Sequence, residues 1–492
     1  MDAVDGFALV ALVLTGAALA AGIVERAPLS FPMLFLGLGL LLGGPLDLLT
    51  LTPESDVLEV MATFTLALVL FLDAVTLEVD EVRGDWLVPA LALGPGTLLT
   101  VLGVAGAASW LLGLELVPAL LIGAVLASTD PVVLRDVLRD RRIPRSVRRA
   151  LSVEAGTNDL VVLPTILVLV AVATEEAGSA AEWAMFALQL LVLGPAAGAA
   201  VGAAGSWLID KADERYSVRR EYQALYGIGL VLGAFAAGHA VGGDGFLAAF
   251  AAGAAVTLLN RRLCDCFMEF GQVVAEMAML AAFVLFGATL VGLFDEVRVG
   301  AALALAGVAI VVVRPLAITI VLRIERAGLS REARRFIAWF GPRGLNSLLF
   351  GLLVFDHGVA DGERLFAIIG VVVIVSVVLH GVSATPLTSS YARRVATDTL
   401  AEERVSTASG LFVGDEHEVP RISAGHLADR LAPPTPADDR PVVIDVRSRS
   451  GHARDRFQVP GAVRVVPDDV VARATEWRAT NAPHHPIVLY CN

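Results

Sequence analysis

The chain has 492 residues, of which 56% are hydrophobic and 18% are charged, and its mean hydropathy is +0.72. No soluble core needs so much apolar sequence, so the composition excludes a soluble protein and predicts a membrane protein with many spans. The net charge of −13 argues against nucleic acid as a partner, and three cysteines are too few for a disulfide framework.

Apolar windows of about 19 residues predict thirteen transmembrane helices, and therefore an all-α polytopic membrane fold. The predicted spans lie at about 7–24, 30–48, 57–76, 86–112, 115–134, 150–173, 183–209, 221–241, 244–259, 267–291, 300–322, 336–354 and 365–389. The first apolar run follows acidic residues rather than the basic residues of a signal peptide, so we expect it to remain as the first span.

Basic residues are concentrated in alternate loops between the predicted spans. One set of loops holds twenty Lys and Arg residues, seven of them between Arg135 and Arg149, whereas the other set holds only Arg298 and Arg364. Loops rich in Lys and Arg stay in the cytoplasm. We therefore expect a plasma-membrane protein with its N-terminus outside the cell and its C-terminal tail in the cytoplasm.

Two predicted spans, the fifth and the twelfth, are interrupted by a proline beside a charged residue. The interruptions are Ser128-Thr129-Asp130-Pro131 and Phe340-Gly341-Pro342-Arg343-Gly344. Proline lacks the backbone donor of a regular helix and leaves carbonyl groups free to face a cavity. Because the breaks are seven spans apart, they predict an inverted repeat in which two discontinuous helices cross near the middle of the membrane. The alternative is a pair of proline kinks without a functional role.

The sixth predicted span begins with the polar residues Glu154, Asn158 and Asp159, ahead of the apolar run 161–172. An unpaired carboxylate is expensive to ionise inside a membrane, so these residues and Asp130 indicate one site for a proton or a small cation. Glu154 and Asn158 share a helix face. Asp159 is rotated from Asn158 by about 100° and can face the cavity beside Asp130.

A buried arginine must be paired, because a guanidinium group keeps its charge. Arg314 lies in the apolar run 309–315 and is the first candidate partner for Glu154, with Arg343 in the second break as the alternative. The sequence leaves two roles open for Glu154, a structural ion pair and direct ligation of a cation.

Beyond about residue 395 the composition becomes that of a soluble, acidic segment. Strand patterns at 441–447 and 487–491, and a turn at 459–463 that leads to another strand, predict a partial α/β domain there. The predicted organisation is a transmembrane domain at 1–392, a linker at 393–418 and a truncated cytoplasmic domain at 419–492.

The two breaks, the segment from Glu154 to Asp159 and the pattern from Gly242 to Gly253 together resemble the sodium/proton exchangers of the monovalent cation/proton antiporter-1 family. The resemblance covers about residues 7–390, and the adjacent Asn and Asp are specific, because the electrogenic sister branch has two aspartates there. It implies a homodimer in the lipid bilayer. It also implies a dimerisation scaffold of spans one to three and seven to ten, and a mobile core of spans four to six and eleven to thirteen.

The resemblance gives roles to the candidate residues. Ion and proton binding is expected at Ser128, Thr129, Asp130, Glu154, Asn158 and Asp159. Asp130 and Asp159 would bind Na⁺, the backbone carbonyl of Thr129 would assist them, and Asn158 would tie the broken helix. Arg314 and Arg343 are expected to compensate buried negative charge.

The expected function is exchange of Na⁺ or Li⁺ for H⁺, in a 1:1 electroneutral cycle in which both ions compete for Asp159. Exchange of K⁺ for H⁺ is the alternative, because oxygen ligands suit each of these cations. A cation channel is a more distant alternative. We expect neither a cofactor nor an enzymatic activity.

The tail resembles a rhodanese domain, since Asp445-Val-Arg447, Pro460-Gly461-Ala462 and Cys491 follow in that family's order. Cys491 would be the catalytic cysteine, but the sequence ends at Asn492, before the loop that would hold a persulfide. We therefore expect no sulfurtransferase activity. The tail is expected either to bind a regulatory partner or a sulfur species, or to be an inert appendage.

Overall fold

The computed structural model describes residues 30–76, 87–140, 142–323, 329–397, 422, 424–432, 440–447, 458–466 and 487–490, together with positions 11, 15, 16, 19 and 452. Most of the predicted first span, most of the predicted linker and Cys491 lie outside these residues. The chain divides into two compact units. Met1–Asp136, Leu151–Leu322 and Ala338–Thr385 form the first unit, and Val137–Ala150, Arg323–Ile337 and Pro386–Asn492 form the second.

Helices account for the apolar part of the described chain. In order they are α1 Phe31–Gly43, α2 Asp56–Thr76, α3 Leu87–Leu112, α4 Leu116–Val125, α5 Pro131–Arg139, α6 Arg145–Thr157, α7 Asp159–Ala173, α8 Ala180–Tyr216, α9 Arg220–Ala240, α10 Gly245–Leu259, α11 Arg261–Leu293, α12 Val299–Val321, α13 Arg331–Trp339, α14 Leu345–Asp356 and α15 Gly362–Thr397. Among the described residues, eight helical segments are long and apolar enough to cross a membrane, and α1, α4, α10 and α14 are shorter apolar helices. The predicted polytopic, predominantly helical membrane fold is confirmed.

The predicted spans from the second to the thirteenth each coincide with one helix or with two helices on either side of an interruption. The fifth is divided into α4 and α5 at residues 126–130, and the twelfth into α13 and α14 at residues 340–344. The second interruption contains Pro342, and the first ends directly before Pro131, the first residue of α5. The sixth span changes from α6 to α7 at Asn158.

Three long helices contain a wider π-helical turn beside a proline. These turns are Ala92–Gly96 in α3, Gln189–Leu193 in α8 and Val308–Val313 in α12. Proline cannot donate to the preceding turn and clashes with a carbonyl group there, and one extra residue in the turn relieves both problems. In α12 the wide turn ends directly before Arg314 and so sets the position of that side chain.

The helices of the first unit pack in two sets. In one set, α11 packs against α1, α2 and α9, and α10 packs against α2, α8 and α9. In the other set, α3 packs against α4 and α12, and α4 packs against α7. Helix α14 contacts members of both sets, including α2 and α7.

Glycine allows α8 and α10 to approach each other closely. Gly198 and Gly202, one turn apart on α8, face the backbone of Ala248 and Ala252 on α10. A Cβ atom on Gly202 would lie 2.5 Å from the carbonyl oxygen of Ala252, which is closer than such atoms can approach. Small residues of this kind let membrane helices associate through backbone contact.

The described residues of the tail form a helix, α16 Ala424–Leu431, and the strands β1 Val442–Asp445, β2 Val463–Arg464 and β3 Ile487–Tyr490. The sheet order is β2-β1-β3 and both pairings are parallel. Strands β1 and β3 coincide with predicted strands, and β2 follows the predicted turn at 459–463. Parallel neighbours require long crossover connections, which is typical of an α/β arrangement.

A buried ion pair lies at the end of β1, between Asp445 and Arg447, with nitrogen and oxygen 2.8 Å apart. Burial opposes ionisation of this carboxyl group. The hydrogen bonds donated by Arg447, together with the nearby charge of Arg464, nevertheless lower the pKa of Asp445 to about 2. The pair is therefore charged at neutral pH.

Candidate functional site

The two helix breaks meet at Asp130, which is 1% exposed. Its backbone N–H donates to the carbonyl oxygen of Pro342 at 2.9 Å. Its Oδ1 accepts from the N–H of Val132 at 2.8 Å, and its Oδ2 accepts from the N–H of Leu345 at 2.7 Å. One carboxylate therefore caps the N-termini of both α5 and α14. An aspartate directly before a proline is typical of a helix N-cap, so the cap on α5 can be recognised in the sequence, whereas the cap on α14 cannot.

Asp159 lies at the start of α7 and is 2% exposed. Its Oδ1 accepts from the hydroxyl group of Ser128 at 2.7 Å, and its Oδ2 accepts from the side-chain amide of Asn346 at 2.7 Å. One donor comes from each broken span. Both donors are neutral, so the described hydrogen bonds bring no fixed positive charge to this carboxylate.

Asn158 ties the head of the sixth span to the first break. Its Nδ2 donates to the carbonyl oxygen of Ala127 at 2.8 Å and to the hydroxyl oxygen of Thr129 at 3.3 Å. Its buried Oδ1 has no hydrogen-bond partner among the described residues. The side chain therefore fixes the irregular backbone and leaves one oxygen available.

Glu154 pairs with Arg314 rather than with Arg343. The atoms Nη2 of Arg314 and Oε1 of Glu154 are 2.7 Å apart, and each side chain is 3% exposed. Arg314 also donates to the carbonyl oxygen of Phe340 at 3.2 Å, in the second break. Its guanidinium group crosses Gly341 so closely that a Cβ atom there would overlap it.

Arg343 is fully buried and binds carbonyl groups that the breaks leave free. Its Nε donates to the carbonyl oxygen of Leu126 at 2.5 Å, and its Nη1 donates to the carbonyl oxygen of Gly341. Its backbone N–H donates to the hydroxyl oxygen of Ser376 at 2.7 Å. The side chain thus links the first break to the second.

Two polar residues of α14 are not among those expected from the sequence. Asn346 donates to Asp159, and the hydroxyl group of Ser347 donates to the carbonyl oxygen of Val125 at 3.1 Å. The sequence contains a signal for both. They follow Gly344 at the start of an apolar helix, and Asn158 and Asp159 likewise stand at the start of the apolar run in the sixth span.

A further acid, Asp73 on α2, lies close to this cluster. Its Oδ1 is 4.0 Å from the place where a Cβ atom on Gly156 would lie. Its Oδ2 is buried and has no hydrogen-bond partner among the described residues. The cluster therefore has an acidic neighbour on a helix of the other packing set.

The cluster can hold a small hard cation, because carboxylate, hydroxyl, carbonyl and amide oxygens are the ligands that such ions prefer. Soft ligands are lacking at this place. Among the described residues, no group of three or more His, Cys, Asp or Glu is arranged to hold a resident metal ion.

Residues 10–390 match the family described as sodium/hydrogen exchanger, transmembrane. The K(+)/H(+) antiporter NhaP of Alkalimonas amylolytica is 30% identical over 312 residues, which are 60% of this chain and 52% of that protein. The Na(+)/H(+) antiporter NhaP of Pseudomonas aeruginosa is 26% identical over 356 residues, which are 68% of this chain and 81% of that protein. This chain thus spans about half the length of the first of these relatives.

The solved structure of the sodium proton antiporter MjNhaP1 from Methanocaldococcus jannaschii has the same fold. It matches with a TM-score of 0.66 and 19% identity, covering 80% of this chain and all of that one. The family match extends over well more than half of the sequence and contains both breaks and the whole polar cluster. The chain therefore belongs to the sodium/hydrogen exchanger family of membrane transporters.

Proposed function

We propose that the chain is an antiporter that exchanges Na⁺ or Li⁺ for H⁺ across the plasma membrane. The observation that carries this proposal is the buried Asp159, whose described hydrogen-bond donors, Ser128 and Asn346, are neutral. A buried carboxylate without a fixed positive partner is neutralised either by a proton or by a bound cation. Because both bind the same oxygen atoms, they compete, and competition for one carrier is the basis of exchange.

The proposed ligands are oxygen atoms of the first break and of the head of the sixth span. They are the hydroxyl group of Ser128, the backbone carbonyl of Thr129, the carboxylates of Asp130 and Asp159, and the side-chain oxygen of Asn158. The unpartnered Oδ1 of Asn158 supports this set. Glu154 is proposed as the structural partner of Arg314, with direct ligation of the cation as its alternative role, and Arg343 compensates charge at the breaks.

Exchange of K⁺ for H⁺ is the second candidate. The relative from Alkalimonas amylolytica is named as a K(+)/H(+) antiporter and the relative from Pseudomonas aeruginosa as a Na(+)/H(+) antiporter. The oxygen ligands of the cluster suit both cations. A cation channel is the third candidate and would move cations without a counterflow of protons.

We propose thirteen transmembrane helices in an inverted repeat, with the fifth and twelfth crossing at their breaks. The hydrogen bond between Asp130 and Pro342 supports the crossing. The two packing sets support a scaffold that includes α1, α2 and α8–α11 and a core that includes α3–α7 and α12–α15. A homodimer, an external N-terminus and a cytoplasmic tail complete the proposal.

We propose that the tail is a rhodanese-like domain. The parallel order β2-β1-β3 and the ion pair of Asp445 with Arg447 support it. Its proposed role is to bind a regulatory partner or a sulfur species.

Everted vesicles that contain the chain test the proposed exchange. Respiration acidifies the interior and quenches acridine orange, and addition of Na⁺, Li⁺ or K⁺ should restore the fluorescence as protons leave. We predict that Asp159→Asn abolishes this response to every cation, because the amide can neither release a proton nor neutralise a cation. Wild-type dequenching by K⁺ alone would establish the second candidate.

Asp140→Asn is the matched control, because Asp140 is paired with Arg142 in the loop after α5 and lies outside the cluster. It should leave exchange unchanged. Dequenching by Asp159→Asn at the wild-type rate would refute the proposed carrier. Cation uptake without proton movement in the wild type would favour the channel.

A further inference from the structure

Helix α15 carries three polar side chains that the proposed exchange does not use. Ser376, His380 and Ser383 interrupt the apolar run 365–382 and its continuation, and their spacing of four and three residues puts them on one helix face. Ser376 is fully buried and His380 is 1% exposed. Polar groups at such depth in a membrane helix need partners, and the partners indicate what the groups do.

Two of these side chains hold the two ends of the second break. Ser376 accepts the backbone N–H of Arg343 at 2.7 Å. His380 lies with Nε2 3.2 Å from the carbonyl oxygen of Trp339, the last residue of α13. Its Nδ1 lies 3.2 Å from the hydroxyl oxygen of Ser376. The backbone on either side of residues 340–342 is thus attached to α15.

The partner of Nε2 determines what that atom must be. A carbonyl oxygen can only accept, so His380 binds Trp339 through Nε2 when that atom carries a hydrogen. That hydrogen is present in the imidazolium form and in the neutral Nε2 tautomer. Nδ1 also lies 2.9 Å from the carbonyl oxygen of Ser376, and a hydrogen on Nδ1 would bind His380 to its own helix.

The third polar residue has a different target. The hydroxyl oxygen of Ser383 accepts from the indole N–H of Trp339 at 3.1 Å. It binds a side chain at the end of α13 and not the backbone of the break. Ser376 and Ser383 are therefore the same residue type on one face of one helix, and only Ser376 touches the break backbone.

The segment that α15 holds is the one that contacts Asp130. The carbonyl oxygen of Pro342 accepts the N–H of Asp130 at 2.9 Å, and the N–H of Leu345 donates to its carboxylate at 2.7 Å. Arg343 lies between these two residues, so its backbone cannot shift without moving both contacts. Loss of the bond to Ser376 would leave a buried N–H unsatisfied and release that restraint.

We propose that Ser376 and His380 are positioning residues of the exchange reaction, which fix the second break so that Pro342 and Leu345 hold Asp130 for cation binding. This inference rests on the proposed function. Neither side chain touches the cation. Their removal should therefore weaken cation binding while the protein remains folded.

The test measures exchange by the purified full chain in proteoliposomes over a series of Na⁺ and K⁺ concentrations. Ser376→Ala should raise the KM for the cation about tenfold, the equivalent of one buried hydrogen bond, with a smaller effect on the maximal rate. Ser376→Thr keeps the hydroxyl group and should restore the wild-type KM. Ser383→Ala, the matched control, should leave KM unchanged.

Two substitutions of His380 separate positioning from proton transfer. His380→Leu should raise the KM for the cation. His380→Gln keeps a donor near the position of Nε2, so its KM should be close to the wild-type value and its pH profile of exchange should be unaltered. KM does not depend on how much protein is folded, so partial misfolding would lower the maximal rate without raising KM.

If the wild type exchanges but Ser376→Ala and Ser383→Ala have equal KM values for the cation, the inference is overturned. A pH profile that shifts equally in His380→Gln and His380→Leu would also overturn it, because His380 would then act by titration. Absence of exchange in the wild type would refute the proposed function and this inference together.

Discussion

At Asp130 the carboxylate faces backbone N–H groups at the start of two helices, whereas at Asp159 it faces a hydroxyl group and a side-chain amide. The positive end of a helix favours a negative charge. Two such ends favour the charged form more strongly at Asp130 than the neutral donors do at Asp159. In the proposed exchange, these two aspartates are thus suited to different tasks, Asp130 to holding the breaks and Asp159 to exchanging its ligand.

The sequence left the role of Glu154 open, and one substitution separates the two possibilities. If Glu154 is the structural partner of Arg314, Glu154→Gln leaves a buried guanidinium group uncompensated, which costs about 3–5 kcal/mol. We predict a large fall in the thermal unfolding temperature of the purified chain, and recovery of much of it in Glu154→Gln/Arg314→Gln. An unchanged unfolding temperature with a raised KM for the cation would show direct ligation instead.

Residue types inside the membrane could be recognised from the sequence, but their partners could not. Glu154 and Arg314 are each expensive to bury alone, so the sequence indicated that they need partners. Arg314 was the first candidate partner of Glu154, but Arg343 stayed open as the alternative, because a wide turn such as the one that ends at Val313, directly before Arg314, cannot be placed to within one residue from a sequence. Asn346 escaped attention because an uncharged amide stands out less than a carboxylate does.

Among the helices, α5 and α11 are joined by an ion pair although they belong to different parts of the proposed architecture. Arg135 on α5 and Glu276 on α11 have nitrogen and oxygen 2.5 Å apart, with side chains 28% and 34% exposed. An ion pair of this exposure contributes about 0–1 kcal/mol. Such a pair is weak enough to separate in each cycle if α5 moves with the core past the scaffold.

A covalent link at this pair should therefore stop exchange. We predict that Arg135→Cys/Glu276→Cys, in a chain whose three native cysteines are replaced by serine, loses exchange when a short reducible thiol reagent joins the two positions. Reduction should restore it, as measured by acridine orange in everted vesicles. The reason is that alternating access requires the core to move relative to the scaffold.

The control link lies within the proposed scaffold. Asp210 on α8 and Asn260 next to α10 form a hydrogen bond of 2.7 Å. Asp210→Cys/Asn260→Cys, linked by the same reagent, should exchange at the unlinked rate. Full activity of the linked Arg135→Cys/Glu276→Cys chain would contradict a core that moves past α11.

Helix positions could be predicted because apolar runs of this length have few alternatives in a membrane. The interruptions could be predicted because proline and charge together cannot continue a membrane helix at low cost. The packing of the helices could not. Glycines such as Gly198 indicate close approach, but nothing in a single sequence says that α8 meets α10 rather than another helix.

At the scale of the whole molecule, the fixed charges of the cluster determine how many charges can move. Glu154 is balanced by Arg314 in an ion pair, and Asp130 is held by backbone donors at two helix ends. In the proposed exchange, both keep these partners when the cation leaves. Asp159 is then the acid of this cluster that changes partner, so one proton should move for each cation.

A cycle of one proton for one monovalent cation does not respond to voltage. In proteoliposomes, proton movement should stop when the inside-to-outside concentration ratio of Na⁺ equals that of H⁺. This stopping gradient should stay the same when a thiocyanate gradient imposes a membrane potential. If the stopping gradient shifts with the potential, a second proton moves in each cycle. Asp73, whose buried Oδ2 has no hydrogen-bond partner among the described residues, is the acid placed to carry it, and Asp73→Asn would then abolish the shift.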